Sequence, residues 1–315
     1  MEVSVKAKER FCKDCNIPLR LFQEPYFADR LELYDRFYGT LSKWELFEKE
    51  LEKYHCEQDY FEEYNRVKDS VITNIKNSEG YQQFNNEDMN KFCVQNDGLP
   101  SKDIFKPSND GKLFISIDMR KANFSALQHY DSTIFASAST WEDFIGLYTD
   151  NRHIINSKYI RQVILGNCNP KRHITYEKYL MDMILTGIKK YNLTDKVVFF
   201  SNDEVVFEVD RATKIETLLY MCKCLKEDIE EDFMLPVTAE LFTLYKINGT
   251  DGYYKEIFGE NEETNIEFKC LDNYMLPFVL RKFNGEEITE SDKVFYHEGL
   301  LSKFIEIPEI ENIKV

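Results

Sequence analysis

The feature that most restricts the fold of this chain is a pair of short apolar runs on either side of a polar and acidic tip. The runs Lys196-Val-Val-Phe-Phe200 and Val205-Val-Phe-Glu-Val209 flank the sequence Ser201-Asn-Asp-Glu204. Runs of β-branched and aromatic residues separated by a few polar residues predict a β-hairpin. This part of the chain is therefore expected to form antiparallel strands with acidic side chains at their turn.

The sequence around the hairpin combines strands with amphipathic helices. A short strand is predicted over residues 113–117, and it ends at Asp118. Three segments predict helices because they lack breakers or carry apolar residues at three- and four-residue spacing, namely residues 119–130, 176–191 and 215–233. Short strands and turns are predicted over residues 235–300. This order predicts an α+β fold in which helices pack on one face of an antiparallel sheet.

The chain divides into four regions by composition and pattern. Residues 1–95 are expected to form a helical N-terminal region, since apolar residues recur at helical spacing from residue 26 onward and acids crowd the other face. Residues 96–112 contain glycine, proline and several polar residues, which predicts a linker. Residues 113–257 hold the sheet and its helices, and residues 258–315 are expected to form a strand-rich extension.

The distribution of charge is uneven. The chain of 315 residues has a net charge of −16, which disfavours indiscriminate binding to nucleic acid. Residues 151–196, however, contain nine basic residues and three acidic residues, a net charge of +6 (9 − 3) that leaves −22 for the remainder. The basic residues of this segment are Arg152, Lys158, Arg161, Lys171, Arg172, Lys178, Lys189, Lys190 and Lys196. Such a segment marks an anion-binding site or, equally, a solvated helix face.

The cysteines and the absence of long apolar runs bear on location. No stretch approaches the roughly 18 consecutive apolar residues that span a bilayer, and the first residues contain no apolar signal region. We therefore expect no membrane partner, a cytoplasmic location and eight free thiols.

Cys12 and Cys15 have the spacing of half a zinc site, which His55 and Cys56 could complete. Unrelated thiols are the favoured interpretation, because a single C-x-x-C is weak support for zinc.

Two acidic positions are candidates for metal chemistry because each lies where a strand ends. Asp118 closes the first predicted strand, and Asp203 with Glu204 lies at the hairpin tip. If the strand and the hairpin are neighbours in one sheet, Asp118 and Asp203 face each other across a short gap. Paired carboxylates suit Mg²⁺ or Mn²⁺, and two such ions can activate a 3′-hydroxyl and stabilise a leaving pyrophosphate. Acids at strand ends are also common solvent-facing residues.

The residues around these acids resemble a known family. The stretch Phe200-Ser-Asn-Asp-Glu-Val-Val-Phe-Glu-Val209 closely resembles motif C of the family A (Pol I-like) DNA polymerases, in which His-Asp-Glu precedes an apolar strand. Residues 113–129, an apolar strand followed by Asp118 and a helix, are similar to motif A of that family. The resemblance covers residues 113–257 and implies a palm-like domain. The segment between the two motifs is short, so the fingers would be much reduced.

The resemblance also implies roles for individual residues. Asp118 and Asp203 would be catalytic and would hold the metal ions, with Glu204 in support. Arg161 matches an arginine that grips the triphosphate in the family, and Leu165 stands where the family has a lysine.

The chain departs from the family pattern at several positions, and other residues could replace those that it lacks. Lys171 and Arg172 are the nearby candidates to replace the missing lysine as phosphate-binding residues. Asn123 stands where motif A has a glutamate near the incoming sugar, which puts sugar selectivity in doubt, and Asn202 stands where motif C has its histidine.

Three hypotheses follow for the function. The first is a compact nucleotidyltransferase that uses Mg²⁺ or Mn²⁺, a primer–template and nucleoside triphosphates. The second is an inactive polymerase-derived binding or assembly protein, favoured by the net charge and the altered family positions. The third is an unrelated α+β interaction protein. In any of them, the acidic N-terminal helices could dock a protein partner. The first two hypotheses require Asp118 and Asp203 to be close together, whereas the third predicts that they are far apart.

Overall fold

The fold is α+β, as the sequence predicts, with a helical N-terminal region and a six-stranded antiparallel sheet. The computed structural model describes residues 3–259, 263–311 and 313. The strands are β1 (Leu113–Met119), β2 (Val197–Phe200), β3 (Glu204–Val209), β4 (Val237–Lys246), β5 (Tyr253–Phe258), β6 (Thr264–Lys269), β7 (Val294–His297) and β8 (Leu300–Lys303). The large sheet has the order β2-β3-β1-β4-β5-β6, and β7 pairs with β8 in a separate hairpin.

Twelve α-helices surround the sheet within the described residues. Those of the N-terminal region are α1 (Val5–Asp14), α2 (Tyr26–Tyr38), α3 (Thr40–Leu51), α4 (Glu57–Asn77) and α5 (Glu79–Asn86). Those that follow β1 are α6 (Ala122–Tyr130), α7 (Trp141–Gly146), α8 (Arg152–Asn156), α9 (Lys158–Gly166), α10 (Pro170–Gly187), α11 (Ile215–Phe233) and α12 (Leu276–Asn284).

Several of these helices begin at a side chain that satisfies a free amide of the first turn. The hydroxyl of Ser78 accepts a hydrogen bond from the amide of Tyr81 at the start of α5, at 3.3 Å. The hydroxyl of Ser157 does the same for Ile160 at the start of α9, at 3.0 Å. These caps fix where α5 and α9 begin, and α9 carries part of the cleft described below.

One face of the sheet is packed against helices. Successive side chains of a strand point to opposite faces, and Ile115 and Ile117 of β1 are fully buried on the helical side. They share a single core with Leu180 of α10 and Leu225 of α11, and α11 packs along β4. The helices therefore form the buried layer behind the central strands.

The opposite face of the sheet is apolar at one end of its strands and acidic at the other. At one end Phe114, Phe242 and Tyr253 form a separate buried cluster with Ile104 of the linker segment. At the other end the same face carries Asp118, which lies directly opposite Glu204 of β3. The linker thus covers the apolar half of this face and leaves the acidic half uncovered by that cluster.

The structure departs from the sequence expectations in three places. The sheet continues beyond residue 257, because β6 pairs with β5 along its whole length. Residues 276–284 form the helix α12 in a region where strands and turns were expected. Strand β1 runs through Asp118 to Met119 rather than ending at residue 117. None of the helices in the described ranges combines the length and the apolar character needed to cross a membrane.

Candidate active site

The antiparallel sheet brings Asp118 and Asp203 together. Strands β1 and β3 are hydrogen-bonded neighbours, and Asp118 is paired with Glu204 in their register. The amide of Met119 donates a hydrogen bond of 2.8 Å to the carbonyl oxygen of Asp203. The two aspartates are therefore one position apart across adjacent strands, which is the arrangement that the first two hypotheses require.

The hairpin tip is fixed by one serine. The hydroxyl of Ser201 accepts hydrogen bonds from the amides of Asp203 at 3.3 Å and Glu204 at 3.0 Å. It donates to Oδ1 of Asp203 at 3.0 Å. A serine that bonds amides two and three residues ahead stabilises a tight turn. The carboxylate of Asp203 is consequently held by its own turn and still has oxygen lone pairs available to a ligand.

Both aspartates line one cleft with a volume of about 430 Å³. Its walls come from the end of β1, the start of α6, the helix α9, the start of α10 and the hairpin tip. Its charged residues are three bases and three acids, namely Lys121, Lys158, Arg161, Asp118, Glu177 and Asp203. Asn123, expected near an incoming sugar, also lines this cleft. Glu204 does not line it but lies beside Asp118 on the open face of the sheet.

Helix α9 faces the cleft with one side. Lys158, Arg161 and Leu165 line it, and they follow one another at the three- and four-residue spacing of a helix face. Within the described part of the chain, Nε of Arg161 is buried and has no hydrogen-bond partner. Burial lowers the pKa of Arg161, although an arginine remains charged in proteins. The residue as a whole is half-buried. A buried, unsatisfied donor atom on such a cation suits an anionic ligand.

The carboxyl group of Asp118 is poised for proton or metal binding. The pKa of Asp118 is raised to about 7, first by partial desolvation and then by the negative charges of Glu204 and Asp203. The side chain nevertheless keeps contact with solvent. The cation Lys255 opposes this rise in pKa, and its Nζ lies 3.8 Å from Oε1 of Glu204. A cluster of acids that repel one another is stabilised by an added cation.

Glu177 is a site residue that the sequence analysis counted only as an acid within the basic segment. It is buried at the cleft wall, and the side-chain amide of Asn202 donates a 2.6 Å hydrogen bond to its Oε2. The pKa of Glu177 is raised to about 7, mainly by burial, while the bond from Asn202 lowers the pKa and the charge of Asp203 raises it. The sequence feature that could have identified Glu177 is its position next to Tyr176 on the core-facing side of α10, where an acidic residue is unusual.

His173 is the second unexpected residue of the cleft. It is 3% exposed, and burial lowers its pKa to about 4, so the ring is neutral at physiological pH. Among the residues that the structure describes, none forms a hydrogen bond with Nε2 of His173. The sequence analysis gave no role to this histidine, because a single histidine in an amphipathic helix is usually structural.

Lys171 and Arg172 do not line the cleft, in contrast to the expectation that they substitute for a phosphate-binding lysine. Lys171 is exposed to solvent at the start of α10. The guanidinium of Arg172 donates hydrogen bonds to the carbonyl oxygens of Phe84, at 3.1 and 2.8 Å, and of Glu87. It thereby satisfies carbonyls at the end of α5, where a helix leaves its last acceptors free. The structure assigns Arg172 to packing of the N-terminal region.

The donor set fits a magnesium ion that is shared with a substrate. Across the described ranges, no group of three or more His, Cys, Asp or Glu side chains could hold a metal ion. Mg²⁺, however, is commonly bound by one or two carboxylates together with water and substrate phosphates, and Asp118 with Asp203 supplies such a pair. The C-x-x-C residues Cys12 and Cys15 lie in and just after α1 as free thiols.

Comparison with known proteins assigns no family to this chain. No protein-family model matches it, and no curated protein sequence is significantly similar to it. The functional argument therefore depends on the geometry of the cleft and on the motif resemblance alone.

Proposed function

We propose that this protein is a metal-dependent nucleotidyltransferase that resembles a compact family A DNA polymerase and adds nucleotides to a 3′-hydroxyl. The observation that carries the proposal is that Asp118 and Asp203, the acids of the two motif-like segments, share one cleft with Arg161. Carboxylates on one wall and a half-buried cation with an unsatisfied Nε on another form the combination that a metal–triphosphate complex requires.

In this proposal Asp118 and Asp203 hold Mg²⁺ or Mn²⁺, and Glu204 supports them from the sheet. When bound, the ions would activate the 3′-hydroxyl and neutralise charge on the leaving pyrophosphate. Arg161 and Lys158 bind the phosphates from α9, and Asn123 lies at the wall where a sugar would be read. The six-stranded sheet serves as the palm, and the short helices between β1 and β2 serve as reduced fingers. We place the activity in the cytoplasm.

A specific observation favours a second candidate, an inactive polymerase-derived binding or assembly protein. The cleft holds as many acids as bases, and Lys171 and Arg172, expected to contribute further positive charge, lie outside it. A cleft without excess positive charge attracts a triphosphate weakly until metal ions are bound. In that case the acidic N-terminal helices are the candidate surface for a protein partner.

The deciding experiment measures nucleotide incorporation into a labelled primer–template, with Mg²⁺ and then Mn²⁺, for the wild-type protein and Asp203→Asn. Asp203 lies on a turn and contributes no core contact, so the variant is expected to fold and to lose all extension. Asp232→Asn, an exposed acid at the end of α11, is the matched control and should retain activity. Extension that persists in Asp203→Asn would contradict the metal role. Absence of extension by the wild-type protein with every nucleotide would favour the binding protein.

Deoxyribonucleotides and ribonucleotides are supplied in separate reactions of the same assay. Asn123 stands where the resembled family has a glutamate near the sugar. The ratio of the two incorporation rates therefore reports whether this position still discriminates between the sugars.

A further inference from the structure

A second cleft of about 730 Å³ lies next to the candidate active site. It is formed by α1 with the turn that follows it, the end of α2, the start of α3 and the outer strand β6. Gln162 of α9 lines both this cleft and the active-site cleft. On the same helix Tyr159 lines only the second cleft and Arg161 only the first. The two spaces are therefore adjacent compartments separated by the width of one helix.

The second cleft is more positive than the rest of the molecule. Its charged lining residues are four bases and two acids, namely Lys13, Arg20, Lys43, Lys269, Glu9 and Glu267. Lys13 is paired with Glu9 at 2.7 Å, and Lys269 is paired with Glu267 at 2.8 Å. Arg20 and Lys43 are exposed, and the four paired charges cancel, so these two carry the excess. A net charge of +2 (4 − 2) on this lining contrasts with −16 for the whole chain.

Aromatic side chains accompany these charges. Tyr38 of α2 and Tyr159 of α9 both line the cleft, together with Phe22 and Phe37. Cationic side chains that follow a backbone, combined with rings on which bases stack, are the physical requirements for binding a single nucleic-acid strand without sequence preference. A duplex is a poorer fit, because the cleft is enclosed by helices on one side and by the edge of β6 on the other.

We propose that this cleft, formed by the N-terminal helices and β6, binds the unpaired strand of a nucleic acid whose 3′-end lies in the active-site cleft. The inference rests on the proposed function, since it names the substrate as a duplex with a single-stranded overhang. Arg20 and Lys43 contact the phosphates of the overhang, and Tyr38 and Tyr159 stack on its bases. The N-terminal region then acts as part of the substrate site, although its other surfaces are acidic.

The test is equilibrium binding of labelled duplexes, measured by fluorescence anisotropy in the absence of nucleotide. The unpaired strand is extended from zero to about eight nucleotides, which lies within the site sizes known for compact single-strand binders. The variant is Arg20→Glu with Lys43→Glu, both exposed side chains. The control is Lys49→Glu with Lys223→Glu, two exposed lysines outside the cleft that change the net charge equally. Melting temperatures establish that all proteins are folded.

The wild-type protein and the control are expected to bind more tightly as the overhang lengthens, until the cleft is filled. The Arg20→Glu/Lys43→Glu variant should bind the long overhang about tenfold or more weakly than the wild type. Its affinity for a blunt duplex should be unchanged. The dependence of log affinity on log salt should become shallower by about 1.4, since each single-strand phosphate contact contributes about 0.7. DNA and RNA overhangs are compared in separate titrations to identify the sugar.

The outcomes separate this inference from the proposed function. The inference is overturned if the affinity does not depend on overhang length, or if the variant keeps the gain in affinity. Either result overturns it even if Asp203 proves essential for extension. A gain in affinity with overhang length that the variant loses supports the inference. This holds even where no extension occurs, and the cleft is then a nucleic-acid site retained by an inactive palm.

Discussion

The hydroxyl of Ser157 donates a 2.7 Å hydrogen bond to the buried carboxylate of Asp14 while it caps the first turn of α9. Asp14 is 1% exposed and also accepts hydrogen bonds from Tyr64 at 2.9 Å and from His153 at 3.1 Å. One carboxylate thus joins α1, α4, α8 and α9. Because α9 carries Arg161, this network couples the N-terminal region to the position of a side chain that lines the active-site cleft.

Substitution of Asp14, the centre of this network, is expected to lower the free energy of unfolding. Asp14→Ala leaves three buried donors without their acceptor, each worth about 1–3 kcal/mol, so the free energy of unfolding should fall by at least about 3 kcal/mol. Ser157→Ala should cost about 1–2 kcal/mol, as the loss of a helix cap does. Urea denaturation measures both values.

A double-mutant cycle separates the network from the cap. Asp14→Ala combined with Ser157→Ala should be less destabilising than the sum of the single changes, because the two residues share one hydrogen bond. Ser78→Ala removes the corresponding cap of α5 and is the control. Its cost should add to that of Asp14→Ala within about 0.5 kcal/mol, and strict additivity for Ser157 as well would refute the coupling.

Glu177 should make stability depend on pH. Its pKa is about 7 in the folded protein, mainly because of burial, against an ordinary value of 4.5. The unfolded chain therefore releases this proton first, and the protein loses stability as the pH rises from 4.5 through 7. Glu177→Gln keeps the acceptor for Asn202 and removes the charge. The variant should match the wild type near pH 5 and be more stable by up to about 3 kcal/mol at pH 8.

Thermal melts at several pH values measure this difference. Glu231→Gln, an exposed position on α11, is the control and should shift the melting temperature equally at all pH values. A stability difference between Glu177→Gln and wild type that is the same at pH 5 and pH 8 would show that this glutamate is ionised in the fold.

Asp118 should report metal binding without any assay of activity. Desolvation raises the pKa of its carboxyl group, and so do the neighbouring carboxylates of Glu204 and Asp203. A bound cation therefore relieves repulsion in the folded state only. Mg²⁺ at ten times its dissociation constant should stabilise the wild type by about 1.4 kcal/mol. Asp118→Asn should abolish this response and, in the absence of Mg²⁺, should itself be slightly more stable than the wild type at pH 8.

The measurement is the melting temperature as a function of Mg²⁺ and Mn²⁺ concentration. Asp232→Asn removes an equal charge from the exposed end of α11 and should respond to the ions as the wild type does. An undiminished response in Asp118→Asn would place the metal elsewhere.

The sequence predicted those parts of the fold whose signals are local. Helix α11 spans Ile215–Phe233, the range that its apolar spacing indicates, and β2 and β3 form the expected hairpin. Helix α12 was missed because its buried residues form a nearly continuous apolar run, which does not distinguish a strand from a helix. Pro277 in its first turn and the left-handed Gly285 after its end are the signals that could have identified it.

The candidate site was less predictable, because side-chain roles depend on distant residues. The proximity of Asp118 and Asp203 was expected only if the first strand and the hairpin are neighbours in one sheet, and the pairing of β1 with β3 meets that condition. The role of Arg172 depends on carbonyl oxygens 88 and 85 positions earlier in the chain, which no local pattern contains. Glu177 likewise becomes a site residue only through Asn202, 25 positions later. Charge counting identified a segment that contributes Lys158 and Arg161 to the cleft, but it could not distinguish these two from bases outside the cleft such as Arg172.

Arg161 and Arg172 should therefore respond in opposite ways to substitution. Arg161 lines the cleft with an unsatisfied Nε, so Arg161→Ala should weaken binding of a nucleoside triphosphate by about 10- to 100-fold, the equivalent of one charge-assisted contact, with little change in stability. Arg172→Ala removes hydrogen bonds to two carbonyl oxygens and should lower the free energy of unfolding by about 1–3 kcal/mol, with the nucleotide affinity unchanged.

Both quantities can be measured without turnover, by calorimetric titration of the triphosphate with Mn²⁺ and by urea denaturation. Lys171→Ala, next to Arg172 but exposed, is the control and should change neither. A loss of nucleotide affinity in Arg172→Ala at unchanged stability would restore this arginine to the binding site. Unchanged affinity in Arg161→Ala would remove the observation that connects the cleft to triphosphates, because no other cation of the cleft has a buried donor atom without a partner among the described residues.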